Sequence, residues 1–409
     1  MQAVVAADHG VTGTYTATYN AVRLDVTQSL YFVGAGLSKS LQTSSAVPVP
    51  LMADFIRVVS YYAEQDAEPV ALIQLIGLEL LDRFAWPSPG ARALAQRIEI
   101  RKLAKSIVSE FLAELRRRPS ESIEDLLAKD QPSADAALDA IYAPVIRFRY
   151  AINRVFSQIG WCVDLPLIER FVQRAVEHDG QHTFVSFNYD LFLDRAVQKV
   201  CGAWHWHCGY GFEIPFCVTD DPDDSGTDAT AFPATHLCQA DVRILKPHGS
   251  LHWLLPVENP NAAMPFKDGP TTVRVDQSHA PEYIQTISNW PRVRYPTDGL
   301  PTDVGPGIIA PLRRKDARLD IFVRSRAMEF EAVRTADEAF VLGWSVPVTD
   351  DDQRCLIGYA VQLRAKPFKR VTVVNLNQPP EYYERLRRLF DVQHSAMRIW
   401  NDGVADFLT

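Results

Sequence analysis

Leu30-Tyr31-Phe32-Val33-Gly34-Ala35-Gly36-Leu37-Ser38 is an apolar run that stops at a glycine-rich turn. Aromatic and β-branched residues with no polar alternation, cut off by glycine, read as a strand buried on both faces and the turn that leaves it. The pattern recurs four times: Thr183–Phe187 before Asn188-Tyr189-Asp190, Val242–Leu245 before Lys246-Pro247-His248-Gly249, Ala339–Leu342 before Gly343-Trp344-Ser345, and Val371–Val374 before Asn375-Leu376-Asn377. Open α/β sheets bind ligands beyond the carboxyl ends of their strands, so these five polar clusters are expected to line one cleft. The predicted fold is α/β and Rossmann-like, a mainly parallel sheet flanked by helices and carrying an inserted helical subdomain.

That insertion is residues 50–180. Ile100, Leu103, Ile107, Phe111 and Leu115 recur at helical spacing, and Arg116-Arg117-Arg118-Pro119 closes the segment with cations and a breaker. Its length exceeds one crossover helix, and periodicity leaves a lid, an oligomer surface and plain packing all open. The catalytic domain is then discontinuous, 28–49 with 181–400, after an N-terminal extension at 1–27. Two looser stretches interrupt it. Residues 201–240 include the acidic turn Asp220-Asp221-Pro222-Asp223-Asp224-Ser225-Gly226, and residues 254–305, rich in proline and polar side chains, read as irregular surface structure.

Composition narrows the function classes. The chain has 409 residues, 47% hydrophobic and 22% charged, which excludes disordered and collagen-like chains. A formal net charge of −8 provides no global field for gripping a phosphate backbone, so direct nucleic-acid binding is not expected. Cys162, Cys201, Cys208, Cys217, Cys238 and Cys355 show no tight repeated spacing, as in a reducing cytoplasm. The first residues lack the basic and apolar regions of a signal peptide, and no run of about 18 apolar residues could span a bilayer. A cytoplasmic location is expected.

Taken singly, each motif is ambiguous. Gly34-Ala35-Gly36 lets backbone approach a pyrophosphate, but Lys39 stands where the dinucleotide fingerprint has its third glycine, and Asp54 falls in a predicted helix instead of at a strand end. A phosphate loop ending at Lys39-Ser40 fails too, because Val33 and Ser38 occupy its glycine positions. Asn188 and Asp190 could aim at one ligand, the amide orienting water or a ribose hydroxyl, or could cap the helix that follows. His248 is either a structural imidazole or a base working near neutral pH.

Five motifs in this order change the balance. Gly34-Ala35-Gly36-Leu37-Ser38, Ser186-Phe187-Asn188-Tyr189-Asp190, Lys246-Pro247-His248-Gly249-Ser250, Gly343-Trp344-Ser345-Val346-Pro347 and Val374-Asn375 together resemble the ordered motifs of the sirtuin-like NAD-binding domain. The resemblance spans about residues 28–390. It implies NAD as the bound nucleotide, with Gly34, Ala35, Gly36 and Ser38 cradling the pyrophosphate and Gly343, Ser345 and Asn375 holding the adenosine half. It places Asn188 and Asp190 at the nicotinamide ribose and makes His248 the catalytic base.

Protein-deacylating sirtuins carry two C-x-x-C pairs after the catalytic histidine, whereas here Cys355 alone follows His248. The Asp-Phe-Arg element that deacylases carry after the glycine-rich turn is also missing, with Ala46-Val47-Pro48-Val49-Pro50 in that region. No zinc is therefore expected, although Cys201, His205, His207 and Cys208 could form a ligand set in place of packing. Asn188-Tyr189-Asp190, His248-Gly249-Ser250-Leu251-His252-Trp253 and the Gly343 segment with Asp350-Asp351-Asp352 resemble instead the bacterial sirtuin-like effectors of antiphage defence. That branch implies hydrolysis of NAD to nicotinamide and ADP-ribose, with NAD-dependent deacylation and a non-catalytic NAD or ADP-ribose module as alternatives. Such an effector needs a silent state, so a homo-oligomer or a separate partner, such as a HerA-type ATPase or a short Argonaute, is implied. Asp350, Asp351 and Asp352 also suit the N-cap and first turn of the next helix. The cations Arg313, Arg314, Lys315, Arg318, Arg324 and Arg326 read as a solvated helix face before a partner contact.

Overall fold

The fold is given by a computed structural model, which describes residues 27–41, 49, 163–178, 180–202, 204–206, 208–218, 228–232, 241–256, 269–275, 292–294, 301–309, 319–347 and 350–408. Most of the expected 50–180 insertion, including the helix expected over residues 100–115, lies outside them, as do the acidic stretch at 220–226 and the cations at 313–318. Among the described residues no helix is long and apolar enough to cross a membrane.

Every one of the five predicted strands forms, and each within a residue or so of its expected C-terminal end. β1 (Thr27–Val33), β2 (Gly180–Ser186), β5 (Val242–Leu245), β10 (Glu338–Leu342) and β11 (Arg370–Val374) join β12 (Met397–Trp400) in one parallel sheet of order β12-β11-β10-β1-β2-β5. β12 escaped the sequence reading because it is a four-residue edge strand whose last three residues are exposed, so it lacks a buried apolar run.

Helices cover both faces, which is why β1 is apolar without alternation. Leu30 and Phe32 point into one core and Tyr31 and Val33 into the other, as the two-residue period of a strand requires. On the Tyr31 side lie α2 (Pro166–Val176) and α3 (Phe192–Val200), with Phe171, Val172, Ala196 and Val197 packed inward. The Phe32 side is covered by α4 (Asp320–Thr335), α5 (Asp351–Gln362) and α6 (Pro380–Leu389), through Val333, Ile357 and Leu386. Phe32 and Phe184 are fully buried, each contributing about 2 kcal/mol or more.

A second sheet corrects the expectation of irregular structure at 254–305. β3 (Phe216–Val218), β4 (Asp228–Thr230), β6 (Gly249–Pro256), β7 (Thr272–Val275), β8 (Arg292–Arg294) and β9 (Pro301–Ile308) make a mixed sheet of order β3-β7-β6-β9-β8-β4. Three of these strands have only three residues, too short to establish a period. β9 carries Pro301, Pro306, Gly305 and Gly307, which normally mark a non-strand. Pairing to β6, buried along its whole length, holds β9 in place.

Candidate functional site

Three turns meet where the parallel sheet ends. Counted in chain order, its strands run 3-2-1-4-5-6 across the sheet, the order of dinucleotide-binding folds. The chain builds outward from β1 to β2 and β5, then returns to the other side for β10, β11 and β12, so the topological switch point lies between β1 and β10. There the Gly34 N–H donates to Leu342 O and the Gly36 N–H to Gly343 O, each at 2.9 Å. A Cβ on Gly36 would stand 2.6 Å from Gly343 Cα, and one on Gly34 2.5 Å from Gly343 O. Gly343 itself adopts φ +59°, open to glycine at little cost. These glycines are thus required by the contact of two turns, and the N–H groups of Gly34 and Gly36 are already engaged. α1 (Ala35–Lys39) begins here, and of the expected cradle Ala35 and Gly36 are partly exposed while Gly34 and Ser38 are buried.

β2 delivers the second turn. Asn188 donates through Nδ2 to Gly34 O at 3.0 Å and to Ser38 Oγ at 2.9 Å, and Ser38 Oγ donates to Asp190 Oδ2 at 2.7 Å. Gly34, Ser38, Asn188 and Asp190 therefore form one unit from two strands. Asn188 is partly exposed; its carbonyl oxygen is the atom not used in this unit. Asp190 is buried, and its other oxygen accepts from the Phe192 N–H at 3.2 Å, a local contact at the start of α3 like the capping alternative. Burial pushes its carboxyl up, against the opposing pull of Lys246 and of its hydrogen bonds to Ser38 and the Phe192 N–H.

Beneath this unit lies a polar network that sequence reading missed. Lys246, fully buried, donates to Asp190 O at 2.6 Å and pairs with Asp194 at 2.9 Å. Tyr210 donates to Asp194 and contacts His252 Nε2 at 2.9 Å, and His252 Nδ1 lies 2.8 Å from Ser250 Oγ. Burial drives His252 down to about 3, so it is neutral at physiological pH. Lys246 and His252 sit in the quoted motifs, but partners outside those motifs explain their burial, Asp194 for Lys246 and Tyr210 for His252.

β5 leads to His248, which lies at the head of β6. The His248 carbonyl accepts from the Ile309 N–H at 2.9 Å, and the Ile309 carbonyl accepts from Tyr189 at 2.5 Å. The ring packs near Phe187, 5.5 Å between centroids, and Phe187 stacks on Trp344 at 4.5 Å. His248 Nε2 stands 3.5 Å from Asp350 Oδ1, and both residues are about 5% exposed or less. Asp350 occupies the N-cap position of α5 but makes no capping bond there, so the capping expectation for this residue is corrected: its carboxylate faces the imidazole. Asp351 and Asp352 do lie in the first helical turn.

The loop from Gly343 to Asp350 contains Val346 at φ 52°. A β-branched residue in that region costs about 1–3 kcal/mol and persists only where its surroundings hold it; Val346 is buried. Ser345 beside it is exposed. Asn375 is turned inward, donating to the Tyr382 hydroxyl at 3.2 Å while accepting from the Leu376 N–H at 3.0 Å. Arg324 pairs with Asp320 of its own helix at 2.8 Å, as on a solvated face, whereas Arg326 is turned toward α5 and faces Asp352 at 3.7 Å.

Cys208 is disulfide-bonded, which its spacing did not predict and which removes its sulfur from the alternative ligand set with Cys201, His205 and His207. Among the described residues, no group of three or more His, Cys, Asp or Glu could hold a metal ion.

No protein-family model matches the chain, and no curated protein matches it. It is similar to a sirtuin structure solved to explain substrate affinity, at 11% identity, covering 94% of this chain and 92% of that one, with a TM-score of 0.35. It is also similar to a Sir2 protein bound to an inhibitor, 2′-O-acetyl-ADP-ribose and a deacetylated peptide, at 12% identity over 66% of this chain and 80% of that one, TM-score 0.33. A third, a Sir2 protein with a peptide and NAD+, has 12% identity over 68% and 82%, TM-score 0.30. The Rossmann-like character of this chain rests on its own strand order.

Proposed function

We propose that the protein hydrolyses NAD, breaking the nicotinamide–ribose bond to release nicotinamide and ADP-ribose. The observation that supports this most is the strand order, whose switch point lies between β1 and β10, one strand from Asn188, while His248 beyond β5 approaches the same end through Phe187 and Trp344. The residues at hand suit such a ligand: Ala35, Gly36, Asn188 and Ser345 keep some exposure at the rim, and Phe187 with Trp344 supplies an apolar wall near His248. NAD supplies the chemistry of a cationic leaving group, since nicotinamide departs neutral once its bond to the ribose carbon breaks.

The chain's residues take the remaining roles. The Asn188 carbonyl oxygen positions the attacking water, whose oxygen bonds the ribose carbon. His248 accepts the proton, either from that water or from a ribose hydroxyl. Asp190, buried behind Ser38 and Asn188, orients them in place of touching the ribose directly. A hydrophobic wall with few committed donors excludes bulk water and strengthens these interactions. The motif likeness to antiphage effectors extends the proposal to NAD depletion in infected cells, controlled by self-assembly or by a partner; co-purification from the native host tests that part.

Nicotinamide release from NAD by purified protein, with and without an acetylated peptide, tests the reaction. Release without peptide is expected; strict dependence on peptide would overturn hydrolysis in favour of deacylation. His248→Ala should lower turnover by about 100-fold or more while its circular dichroism spectrum stays that of the folded wild type. Undiminished release by that variant would remove His248 as the base.

A further inference from the structure

We infer that Asp350 is the positioning residue of His248, and that Glu329 behind it regulates the pairing by taking up or releasing a proton of its own. The inference deepens the proposed function and rests on it for the role of His248. Asp350 Oδ1 lies 3.5 Å from His248 Nε2, and neither side chain is more than slightly exposed. That contact turns Nδ1, the other ring nitrogen, away from Asp350. The N-terminus of α5, where Asp350 sits, carries positive dipole that on its own opposes an imidazolium. The carboxylate offsets it and lets His248 take a proton.

Glu329 projects from α4 with no exposed surface, in the layer that packs against α5. Gln353 of α5 is fully buried too, and the end of its amide lies 3.0 Å from both Glu329 carboxyl oxygens, so with its nitrogen inward it donates to the carboxylate and with its oxygen inward it accepts from the protonated acid. The charged groups that act on Glu329 are Arg326 on its own helix and Asp350 from the loop before α5, while Arg326 also faces Asp352 at 3.7 Å. Burial, with Asp350 adding to it and Arg326 opposing, pushes Glu329 up to about 8. Below that value Glu329 is a neutral carboxylic acid, and Asp350 is the anion left to serve His248. Above it, a second negative charge enters the same buried layer and the two carboxylates compete for the cations around them. Glu329 meets α5 at Gln353, one helical turn after Asp350 at the N-cap, so a change in its charge acts within one turn of the residue that faces His248.

The experiment follows the His248 ring signal by NMR against pH in histidine-labelled protein, assigned by its loss in His248→Gln. In Asp350→Asn the titration midpoint of His248 should fall by about one pH unit, and the acid limb of nicotinamide release should move with it. The wild-type signal should show a second inflection near pH 8, the value of Glu329, that disappears in Glu329→Gln. The latter variant mimics the neutral acid in size and leaves Asp350 in place, so it tests the second carboxyl even where Asp350→Asn does not fold. An unchanged His248 midpoint in folded Asp350→Asn, or an inflection that survives Glu329→Gln, overturns the inference. A shifted midpoint in a protein that releases no nicotinamide upholds the pairing and removes only the catalytic reading.

Discussion

Asp350 stands at a helix N-cap and gives its carboxylate to a histidine about a hundred residues away in sequence. Glu329 behind it carries a stability consequence with a definite sign. Its folded-state value, about 8, lies above the ordinary 4.5, so the native state keeps a proton that the unfolded chain has released. Unfolding therefore releases a proton and is favoured as pH rises. The wild type should lose up to about 1.4 kcal/mol of stability per pH unit from this group between pH 4.5 and about 8. Glu329→Gln abolishes that loss, so urea melts of the two proteins should diverge from pH 5 to pH 8 with the variant gaining; parallel curves would show that Glu329 ionises normally. Lys246 makes the opposite kind of demand. Lys246→Met leaves Asp194 buried without its 2.9 Å partner, a loss of about 3–5 kcal/mol, measurable as a lower urea midpoint. Residue identity at 246 and 248 was visible in the sequence, but neither Asp194 nor Glu329 announced itself: each looks like any helical acid until burial is known.

Elements explain which parts of the site could be read beforehand. Apolar runs ending in Gly, Asn or His identified β1, β2, β5, β10 and β11, because a strand buried on both faces must be apolar throughout. Gly34 and Gly36 read as room for a pyrophosphate and Gly343 as part of the adenosine half, whereas the first demand on all three is the joint between two strand ends. Gly36→Ala would set a Cβ 2.6 Å from Gly343 Cα, a backbone contact with no flexible end to yield. We expect it to destabilise the protein by about 1–3 kcal/mol and to reduce soluble yield; a melting temperature equal to that of the wild type would show that the turns are free to separate. β7, β8 and β9 were hidden for a different reason. Strands of three or four residues, or strands broken by proline and glycine, gain their hydrogen bonds from a neighbour distant in sequence, and no local pattern reports that neighbour.

At the scale of the whole molecule, ligand binding and stability are linked. If the switch-point cleft binds NAD, the inactive His248→Ala variant should be stabilised by about 2.7 kcal/mol at a hundredfold excess over the dissociation constant, and ADP-ribose should act in the same direction. A thermal shift with neither compound would place the nucleotide elsewhere. The second sheet contributes to this site through Ile309, which bonds His248 and Tyr189 at 2.9 and 2.5 Å, so the histidine is held between the two sheets.

Alternation and its absence, glycine punctuation and the order of polar clusters determined the parallel core and brought Asn188, Asp190 and His248 to one end of it, since strand burial is a local property of composition. Tertiary structure alone decided the rest. Whether an acid caps a helix, pairs with an imidazole or keeps its proton in a dry interior depends on which groups surround it, and those groups come from strands and helices that only folding brings within a few ångströms.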